Sequence, residues 1–373
     1  MAPPISHRTW AEIDLGSLRH NAATARTHSG CEVMAIVKAN AYGHGAVPVA
    51  HALMEDVAMF GVANVEEAKE LREGGIALPI LLLSACLPQE EEPALLQGFH
   101  ICVSTCEEAV AIDALASKLG VKAHAHAVVD TGMGRMGFPE QAWDAACIGE
   151  LVALRHIVWE GLASHLPSPD EDAAFTSAQI ARFARCVDTA KAAGMQPRWI
   201  HAANSAGLLG YAEQRDVCNL VRPGLMLYGI SPLPEHQPLL HPVLTWKTRI
   251  TLIRELPPGY GISYGRTFVT SRQTRVATLA CGYADGFPRQ VSGNGAYVVI
   301  HGQRCPVLGR VTMDQMMVDV TDLAEAALVG DEVVLLGNQG TGSVNAVELA
   351  RQAGTIAWHV FTGITARVAR CYG

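Results

Sequence analysis

Eight short apolar segments, separated by seven segments with helical periodicity, occupy roughly the first 220 residues and constrain the fold more than any other feature. The strand-like segments are residues 33–37, 59–63, 80–83, 100–103, 123–129, 156–164, 198–201 and 217–221. Alternation of this kind produces a parallel sheet, and eight evenly spaced units are the number found in a (β/α)₈ barrel. We therefore predict an α/β protein with an N-terminal barrel of the TIM type. An open, doubly wound sheet is the alternative.

A proline-rich stretch at residues 231–238 marks a change in the character of the chain. Beyond it, β-rich segments separated by glycine-bearing turns predominate, which indicates a mostly-β second domain. The segment 9–14 alternates like a half-buried strand and is expected to join that second domain. The predicted division is an N-terminal strand within residues 1–14, a barrel at residues 15–236 and a β domain at residues 237–373.

The composition disfavours several classes of function. With 49% apolar and 17% charged residues, the 373-residue chain can form two folded cores. Its net charge of −8 argues against nucleic-acid partners, and its longest apolar run, residues 77–87, is too short to span a membrane. The N-terminal residues lack a secretory pattern and the ten cysteines form no Cys-x-x-Cys pair, so a cytoplasmic protein is expected.

The first predicted strand ends in a lysine that packing alone does not explain. Residues 33–37 are apolar, Lys38 follows at once, and a polar loop with two glycines comes next. A partly desolvated lysine has a lowered pKa and can attack a carbonyl group as the free amine. Tyr42, in the same loop, is placed to reach a bound anion. A solvated lysine at the end of a strand is the alternative.

Polar residues also follow the fifth to eighth predicted strands. Residues 130–135 follow the fifth strand, His165 the sixth, Asn204 and Ser205 the seventh, and residues 222–224 the eighth. Barrel enzymes build their sites from the loops at the carboxyl ends of the strands, and often bind phosphate near strands seven and eight. The sequence therefore predicts one site at this end of the barrel.

A glycine motif in the barrel segment suggests a dinucleotide site on weaker grounds. Residues 132–137 fit Gly-x-Gly-x-x-Gly and follow a predicted strand. However, Asp130 and Thr131 intervene before the first glycine, and Arg135 occupies the turn that would approach a pyrophosphate. An NAD enzyme is therefore disfavoured.

Two histidines in the barrel segment have a spacing that could suit metal ligands. His124 and His126 could present two imidazoles on one face of a strand, but no third ligand follows at a suitable spacing. Positions in the core or lining a pocket are favoured for both, and the same holds for His201. No metal is expected.

Taken together, these motifs are similar to those of the alanine racemase family, enzymes of fold type III that use pyridoxal 5′-phosphate (PLP). The resemblance covers nearly the whole chain. The motifs that carry it are residues 35–45 (Ala-Ile-Val-Lys-Ala-Asn-Ala-Tyr-Gly-His-Gly), 130–135 (Asp-Thr-Gly-Met-Gly-Arg), 201–206 (His-Ala-Ala-Asn-Ser-Ala), 222–224 (Arg-Pro-Gly), 263–265 (Ser-Tyr-Gly), 282–286 (Gly-Tyr-Ala-Asp-Gly) and 309–315 (Gly-Arg-Val-Thr-Met-Asp-Gln).

The resemblance implies two acid–base groups. Lys38 would bind the cofactor covalently and act as one of them, and Tyr264 of the partner subunit in a homodimer would act as the other from the opposite face of the substrate. His165 would stack beside the pyridine ring, and Arg222 would face the ring nitrogen. Because a guanidinium group only donates, Arg222 would keep that nitrogen unprotonated and make the ring a weaker electron sink, which suits a racemase.

The resemblance also implies binding roles. The phosphate would be held by Tyr42, Ser205, Gly224 and Leu225, with Asn204 in the same cofactor-binding set. The substrate carboxylate would be received by Arg135 and by the backbone of Met313, with Tyr283 near the entrance.

Two residues depart from the family pattern. Val128 stands where the family commonly has a lysine, carried as a carbamate that positions the arginine equivalent to Arg135. Trp358 stands where a tyrosine usually touches the phosphate. The first leaves the setting of Arg135 open, and the second makes strict specificity for alanine less secure than racemase chemistry.

The expected function is PLP-dependent interconversion of L- and D-alanine, supplying D-alanine for peptidoglycan. A racemase of serine or of a broader set of small amino acids is the first alternative. A PLP decarboxylase of the same fold class would more naturally place an acidic residue at the ring nitrogen, and a non-catalytic PLP carrier would not need the domain that bears Tyr264.

Overall fold

The structure, a computed structural model, describes residues 7–373 and divides into two units. The barrel unit consists of Ser17–Ala41 and Ala46–His241. The β unit consists of Tyr42–Gly45 and Pro242–Gly373 together with the described part of the first sixteen residues.

Besides a short strand, Phe138–Pro139, that pairs with the fifth barrel strand, the described residues of the barrel unit contain the eight parallel strands of the barrel. They are Glu32–Ile36, Met59–Val62, Ile80–Leu82, His100–Val103, Ala123–Asp130, Ile157–Ala163, Trp199–His201 and Leu220–Val221. The first seven pair in chain order, and the eighth pairs with the first. Between the seventh and eighth strands, backbone N–H groups of Asn219 and Arg222 donate to the carbonyls of Ile200 (3.0 Å) and Ala203 (2.9 Å). These bonds close the barrel.

Helices follow the strands, and their starts are set by capping side chains. The α-helices are Leu15–Ser29, Ala46–Leu53, Val65–Glu73, Pro88–Leu96, Cys106–Leu119, Ala145–Ala153, Ala173–Ala192 and Ser205–Gly210, with short 3₁₀ turns at Glu140–Ala142, Ala212–Asp216, Leu225–Tyr228 and Pro234–Leu239. Asn64, Thr105, Asp144 and Asp172 each accept a hydrogen bond from a backbone N–H in the first turn of the helix that follows. Side chains of this type satisfy amides that the helix itself leaves unpaired, so the sequence determines where these helices begin.

The β unit is built on one nine-stranded sheet. Its strands are Thr9–Ile13, Leu244–Leu256, Thr274–Leu279, Tyr297–Ile300, Gln303–Leu308, Met316–Asp319, Glu332–Gln339, Gly342–Val344 and Ala369–Tyr372. The long strand Leu244–Leu256 pairs along one part with Glu332–Gln339 and along another with Thr274–Leu279, which closes six of the strands into a ring. A register shift between Ile250 and Leu252 bends it between these partners.

Smaller elements complete the β unit. They are the hairpin strands Gly261–Ile262 and Phe268–Val269, the helices Ala346–Ala353 and Ala357–Thr362, and the 3₁₀ turns Tyr264–Arg266 and Arg289–Val291. The prediction of a TIM-type barrel followed by a mostly-β domain is confirmed. Among residues 7–373, no helix is both long and apolar enough to cross a membrane.

Candidate active site

Lys38 lies just beyond the first barrel strand, on a turn of unusual backbone. The strand Glu32–Ile36 is buried apart from its first residue, whereas Lys38 is half-buried. The next four residues, Ala39 to Tyr42, all have φ between 51° and 54°, a left-handed turn that contains no glycine. This conformation costs about 1–2 kcal/mol per residue for L-amino acids, so other contacts must hold it.

Two side chains fix this turn within the barrel unit. The Glu67 carboxylate accepts a hydrogen bond from the N–H of Ala39 (2.8 Å), and the Asn40 side-chain oxygen accepts one from the N–H of Ala46 (2.8 Å). The turn leads the chain away from the strand while Lys38 stays at its carboxyl end. The strained backbone therefore places the lysine, as often occurs at functional sites.

The environment of Lys38 favours its neutral amine. Burial lowers the pKa of the Lys38 ammonium group, and the positive charges of Arg135 and Arg222 lower it further. Glu67 acts in the opposite direction but does not reverse the shift. Less alkaline conditions than usual therefore suffice to produce the nucleophilic form of this lysine.

Arg222 is a buried guanidinium group whose hydrogen-bond partners are all neutral. One nitrogen, Nη2, lies within hydrogen-bonding distance of the carbonyls of Ser164 (2.7 Å) and Ala202 (3.0 Å) and of Nδ1 of His165 (3.1 Å). The other, Nη1, donates to Nδ1 of His201 (2.5 Å). Burial lowers the pKa of Arg222 to about 10, so it remains charged at neutral pH. These contacts orient a positive charge at the carboxyl end of the barrel.

Three imidazoles continue from Arg222 through the barrel as a hydrogen-bonded chain. His201 Nε2 lies 2.8 Å from His126 Nδ1, and His126 Nε2 lies 3.1 Å from His100 Nδ1. Because a guanidinium cannot accept, His201 must accept from Arg222 and donate to His126, which in turn donates to His100. Arg222 thus fixes the tautomer of each ring. We refer to His100, His126 and His201 as the imidazole chain.

His165 lies beside Arg222 and is held in its neutral form. Burial lowers the pKa of His165 to about 3, and the charges of Arg222 and Arg135 contribute to the shift. Since Nδ1 accepts from Arg222, the proton of the neutral ring is on Nε2. His165 is therefore a neutral, half-buried ring at every ordinary pH.

Ser205 connects the seventh and eighth strand ends. Its hydroxyl oxygen accepts hydrogen bonds from the backbone N–H groups of Gly224 (3.0 Å) and Met226 (3.3 Å), which leaves the hydroxyl proton available as a donor. Asn204 caps the helix Ser205–Gly210 by accepting from Gly207 N–H, and its amide donates to the carbonyl of Leu166 (3.0 Å). Leu225 begins the 3₁₀ turn that follows Gly224. The candidate phosphate residues of the barrel unit are thus adjacent.

Arg135 lies on the exposed loop after the fifth strand and has no carboxylate partner within the described residues. The nearest acidic residue in sequence, Asp130, is committed to the loop, because its carboxylate accepts from the N–H groups of Gly132 (2.8 Å), Met133 (2.8 Å) and Gly134 (2.9 Å). Val128 is a buried residue of the strand and supplies no charge.

The remaining candidate residues belong to the β unit. Tyr264 is 68% exposed and lies between Ser263 and Gly265, both with positive φ. Tyr283 and Met313 are on neighbouring segments, since the N–H of Ala284 donates to the carbonyl of Met313 (2.9 Å), and both side chains are exposed.

Tyr42 and the glycines that follow it pack within the β unit. Tyr42 is buried, which raises the pKa of its phenol to about 12. A side chain at Gly43 would place its Cβ 2.4 Å from the carbonyl oxygen of Phe361, and the Gly43 carbonyl accepts a hydrogen bond from Arg370 (3.0 Å). Trp358 and Phe361 are both in the helix Ala357–Thr362. The tryptophan that replaces the family's usual tyrosine is therefore in the helix that contacts the loop at Gly43.

The barrel residues can be compared with the needs of PLP, which requires an amine for its aldehyde, a partner for its ring nitrogen and donors for its phosphate. Lys38 supplies a readily deprotonated amine, Arg222 a buried guanidinium with no anionic partner in the described residues, and Ser205 a hydroxyl donor. This chemistry fits the cofactor. The fold and the site together define a PLP-dependent enzyme of the (β/α)₈ class.

Comparisons with known proteins identify the family. Residues 13–232 match the model "Alanine racemase, N-terminal domain" and residues 243–372 match "Alanine racemase, C-terminal domain". A protein named alanine racemase from Symbiobacterium thermophilum is 45% identical over 98% of this chain and 97% of its own. The chain belongs to the alanine racemase family of PLP-dependent isomerases.

Solved structures agree with this assignment. Alanine racemase from the D-cycloserine producer Streptomyces lavendulae has a TM-score of 0.91 and 36% identity, covering 98% of this chain and 97% of its own. Alanine racemase from Bartonella henselae, solved with covalently bound pyridoxal phosphate, has a TM-score of 0.88 and 29% identity, covering 98% and 100%.

Proposed function

We propose that this protein interconverts L- and D-alanine with PLP by a two-base reaction, in which Lys38 acts from one face of the substrate and Tyr264 of the partner subunit from the other. The observation that carries the proposal is the environment of Lys38, where burial and two guanidinium groups favour the neutral amine at the carboxyl end of the barrel. When bound, PLP would supply an electron sink that acidifies the α-proton of the amino acid.

Different barrel residues would bind different parts of the cofactor. Lys38 would hold the cofactor covalently, and Ser205 with the backbone near Gly224 and Leu225 would hold its phosphate, together with Tyr42 and the loop capped by Asn204. Arg222 would face the ring nitrogen, and its permanent positive charge would keep that nitrogen unprotonated. His165 is neutral and half-buried, which suits a ring packed beside another ring.

Two groups are required because racemisation removes a proton from one face and returns one to the other. The Lys38 amine would take or give the proton at Nζ, and the Tyr264 phenol would do so at its hydroxyl oxygen. We propose a homodimer because Tyr264, Tyr283 and Met313 are exposed on a single chain. In the dimer, Met313 and Tyr283 of one subunit would meet Arg135 of the other around the substrate.

We further propose that the enzyme acts in the cytoplasm and supplies D-alanine for peptidoglycan. The ten cysteines are all free thiols, which is typical of a reducing compartment. We propose that the chain is divided into an N-terminal strand within residues 1–14, a barrel at residues 15–236 and a β domain at residues 237–373.

The function is tested by incubating the PLP-loaded protein with L-alanine and, separately, with D-alanine, and following both enantiomers by chiral chromatography. Both reactions are expected to end at equal amounts, with alanine converted at a higher kcat/KM than serine. A higher kcat/KM for serine would favour the alternative of a broader or different racemase, in agreement with the change at Trp358. Release of carbon dioxide instead of racemisation would favour a decarboxylase.

Arg135 gives a second test. Arg135 is exposed on the single chain, and in the proposed dimer the partner subunit would cover it. Its guanidinium would then need an anionic or carbonyl partner, and neither Val128 nor the committed Asp130 can supply a charge. We expect a bound chloride or similar small anion to take that place. A charge-assisted hydrogen bond of about 1.5–3 kcal/mol corresponds to a rate about 10- to 100-fold lower in halide-free buffer, restored by chloride. Indifference to chloride, or a requirement for bicarbonate, would contradict this expectation.

A further inference from the structure

A second cluster of ligating side chains lies toward the amino ends of the barrel strands, away from the loops that carry Lys38. His100, His124 and Glu160 each offer one ligand atom, and these atoms lie within 4.8 Å of one another. His100 is the first residue of its strand and pairs directly with His124, the second residue of the next strand. Glu160 comes from the strand after that.

The geometry of the cluster is well defined. The rings of His100 and His124 are stacked, with centroids 5.1 Å apart and planes 11° apart. Nδ1 of His124 lies 3.0 Å from the Glu160 carboxylate, and the two side chains are 36% and 21% exposed. His100 is buried, and its Nδ1 is engaged by His126, so its Nε2 remains as the ligating atom. The cluster is thus accessible from solvent on one side.

An irregular strand brings Glu160 to this position. The strand Ala123–Asp130 pairs with Ile157–Ala163 in a register that shifts between Ala125 and His126, so that Glu160 is an extra residue without a partner. Such bulges change the direction of a side chain and are frequent near functional sites. The shift also sets Gly161 opposite His126, where a Cβ would lie 2.0 Å from the imidazole. The bulge and the glycine together accommodate the histidines.

The charges around the cluster are mixed. Arg198 and Arg72 contribute positive charge nearby. Both are engaged elsewhere, with Arg198 stacked 4.6 Å from the Trp199 ring and Arg72 donating to a backbone carbonyl at Leu78. Glu160 provides the compensating negative charge.

We propose that His100, His124 and Glu160 bind one divalent transition-metal ion. Two imidazoles and one carboxylate form the N₂O ligand set that Zn²⁺ accepts in proteins, with water completing the coordination on the exposed side. The spacing of His124 and His126 along their own strand does not reveal this arrangement, because His100 and Glu160 come from the two neighbouring strands. The ion would join three barrel strands at the amino end.

The imidazole chain limits the affinity. Arg222 fixes the His100 proton on Nε2, and ligation requires that nitrogen to be unprotonated. His100 Nε2 can lose its proton if all three rings change to the other tautomer. His201 then carries its proton on Nδ1, which faces an N–H of Arg222, so the hydrogen bond between these two residues is lost. Zinc binding therefore competes with the hydrogen bond between Arg222 and His201. We expect a larger dissociation constant, and so a lower affinity, than that of a structural zinc site.

The test uses tag-free holoenzyme, first treated with a chelator and then titrated with Zn²⁺ while heat, bound zinc and the unfolding temperature are measured. Wild type is expected to bind one equivalent and to unfold at a higher temperature, since a ligand of the folded state stabilises it. His124→Asn and Glu160→Gln are each expected to weaken binding at least about tenfold. The matched control is His20→Asn, which removes one ring of an exposed, stacked pair (His20 and His241, centroids 3.9 Å apart) without a carboxylate partner among residues 7–373, and it should not alter binding.

Two results would overturn the proposal. One is the absence of a bound equivalent in wild type at about 100 μM Zn²⁺. The other is binding that His124→Asn and Glu160→Gln leave unchanged. If either variant misfolds by circular dichroism, anomalous diffraction from zinc-soaked wild-type crystals decides: a peak between the three side chains supports the site, and peaks only elsewhere refute it.

Discussion

Replacing Lys38 with alanine is expected to abolish covalent cofactor binding and to reduce racemisation below detection. The substitution removes both the amine that would hold PLP and one of the two proposed acid–base groups. A positioned acid–base alone contributes about 10²–10⁴-fold, so the combined loss should exceed 10⁴-fold in kcat/KM. The measurement is twofold: mass spectrometry after borohydride reduction, which should show no cofactor attached to the variant, and chiral analysis of alanine.

Lys69→Ala is the matched control for this experiment. Lys69 lies on the helix Val65–Glu73 and forms an exposed ion pair with Glu66 at 3.0 Å, an interaction of about 0–1 kcal/mol. Its removal should leave cofactor binding and turnover close to wild type. If Lys38→Ala protein turned over at a rate near wild type without an added amine, Lys38 would have no part in the reaction.

The barrel could be predicted because local sequence patterns determine it. Each strand is a short apolar run, and helix starts such as Asn64, Thr105 and Asp172 are encoded by the capping residues themselves. The placement of Lys38, Arg135, His165 and Arg222 near one another also follows from the sequence, since the carboxyl ends of parallel strands meet at one end of a barrel.

The turn after Lys38 could not be predicted in this way. Ala39, Asn40, Ala41 and Tyr42 adopt a left-handed conformation that alanine and tyrosine disfavour on their own. The conformation depends on tertiary contacts, including the Glu67 carboxylate that binds the N–H of Ala39. Glu67 is more than twenty residues away along the chain, and no local pattern marks it as part of the site.

The imidazole chain could not be predicted from the sequence for a related reason. His126 and His201 are expected in the core or lining a pocket, and both are buried; His100, which the sequence does not single out, is buried as well. Their hydrogen bonds depend on the register between non-adjacent parts of the chain, 26 residues apart in one case and 75 in the other. His126 lies four residues before Asp130 and His201 three residues before Asn204, but such spacing does not show which rings meet.

Tyr264→Phe is expected to slow racemisation by about 10²–10⁴-fold, which corresponds to about 2.7–5.4 kcal/mol in activation free energy. Both directions should slow by the same factor, because enantiomers in water have an equilibrium constant of one and no substitution can change that constant. Exchange of the α-proton with solvent deuterium should persist for only one enantiomer, through Lys38. The measurements are kcat/KM from each enantiomer and the rate of deuterium incorporation by NMR.

The Tyr264→Phe experiment has a matched control, and the same variant also tests the proposed dimer. Tyr260→Phe removes the hydroxyl of another exposed tyrosine of the β unit (44% exposed) and should leave the rates unchanged. Because Lys38 and Tyr264 are proposed to come from different chains, mixing inactive Lys38→Ala protein with Tyr264→Phe protein should restore partial activity, since each mixed dimer contains one site with both groups intact. The two-base assignment would fail if the Tyr264→Phe variant exchanged the protons of both enantiomers equally and at the wild-type rate. A site formed within one chain would be favoured if verified subunit exchange produced no recovery.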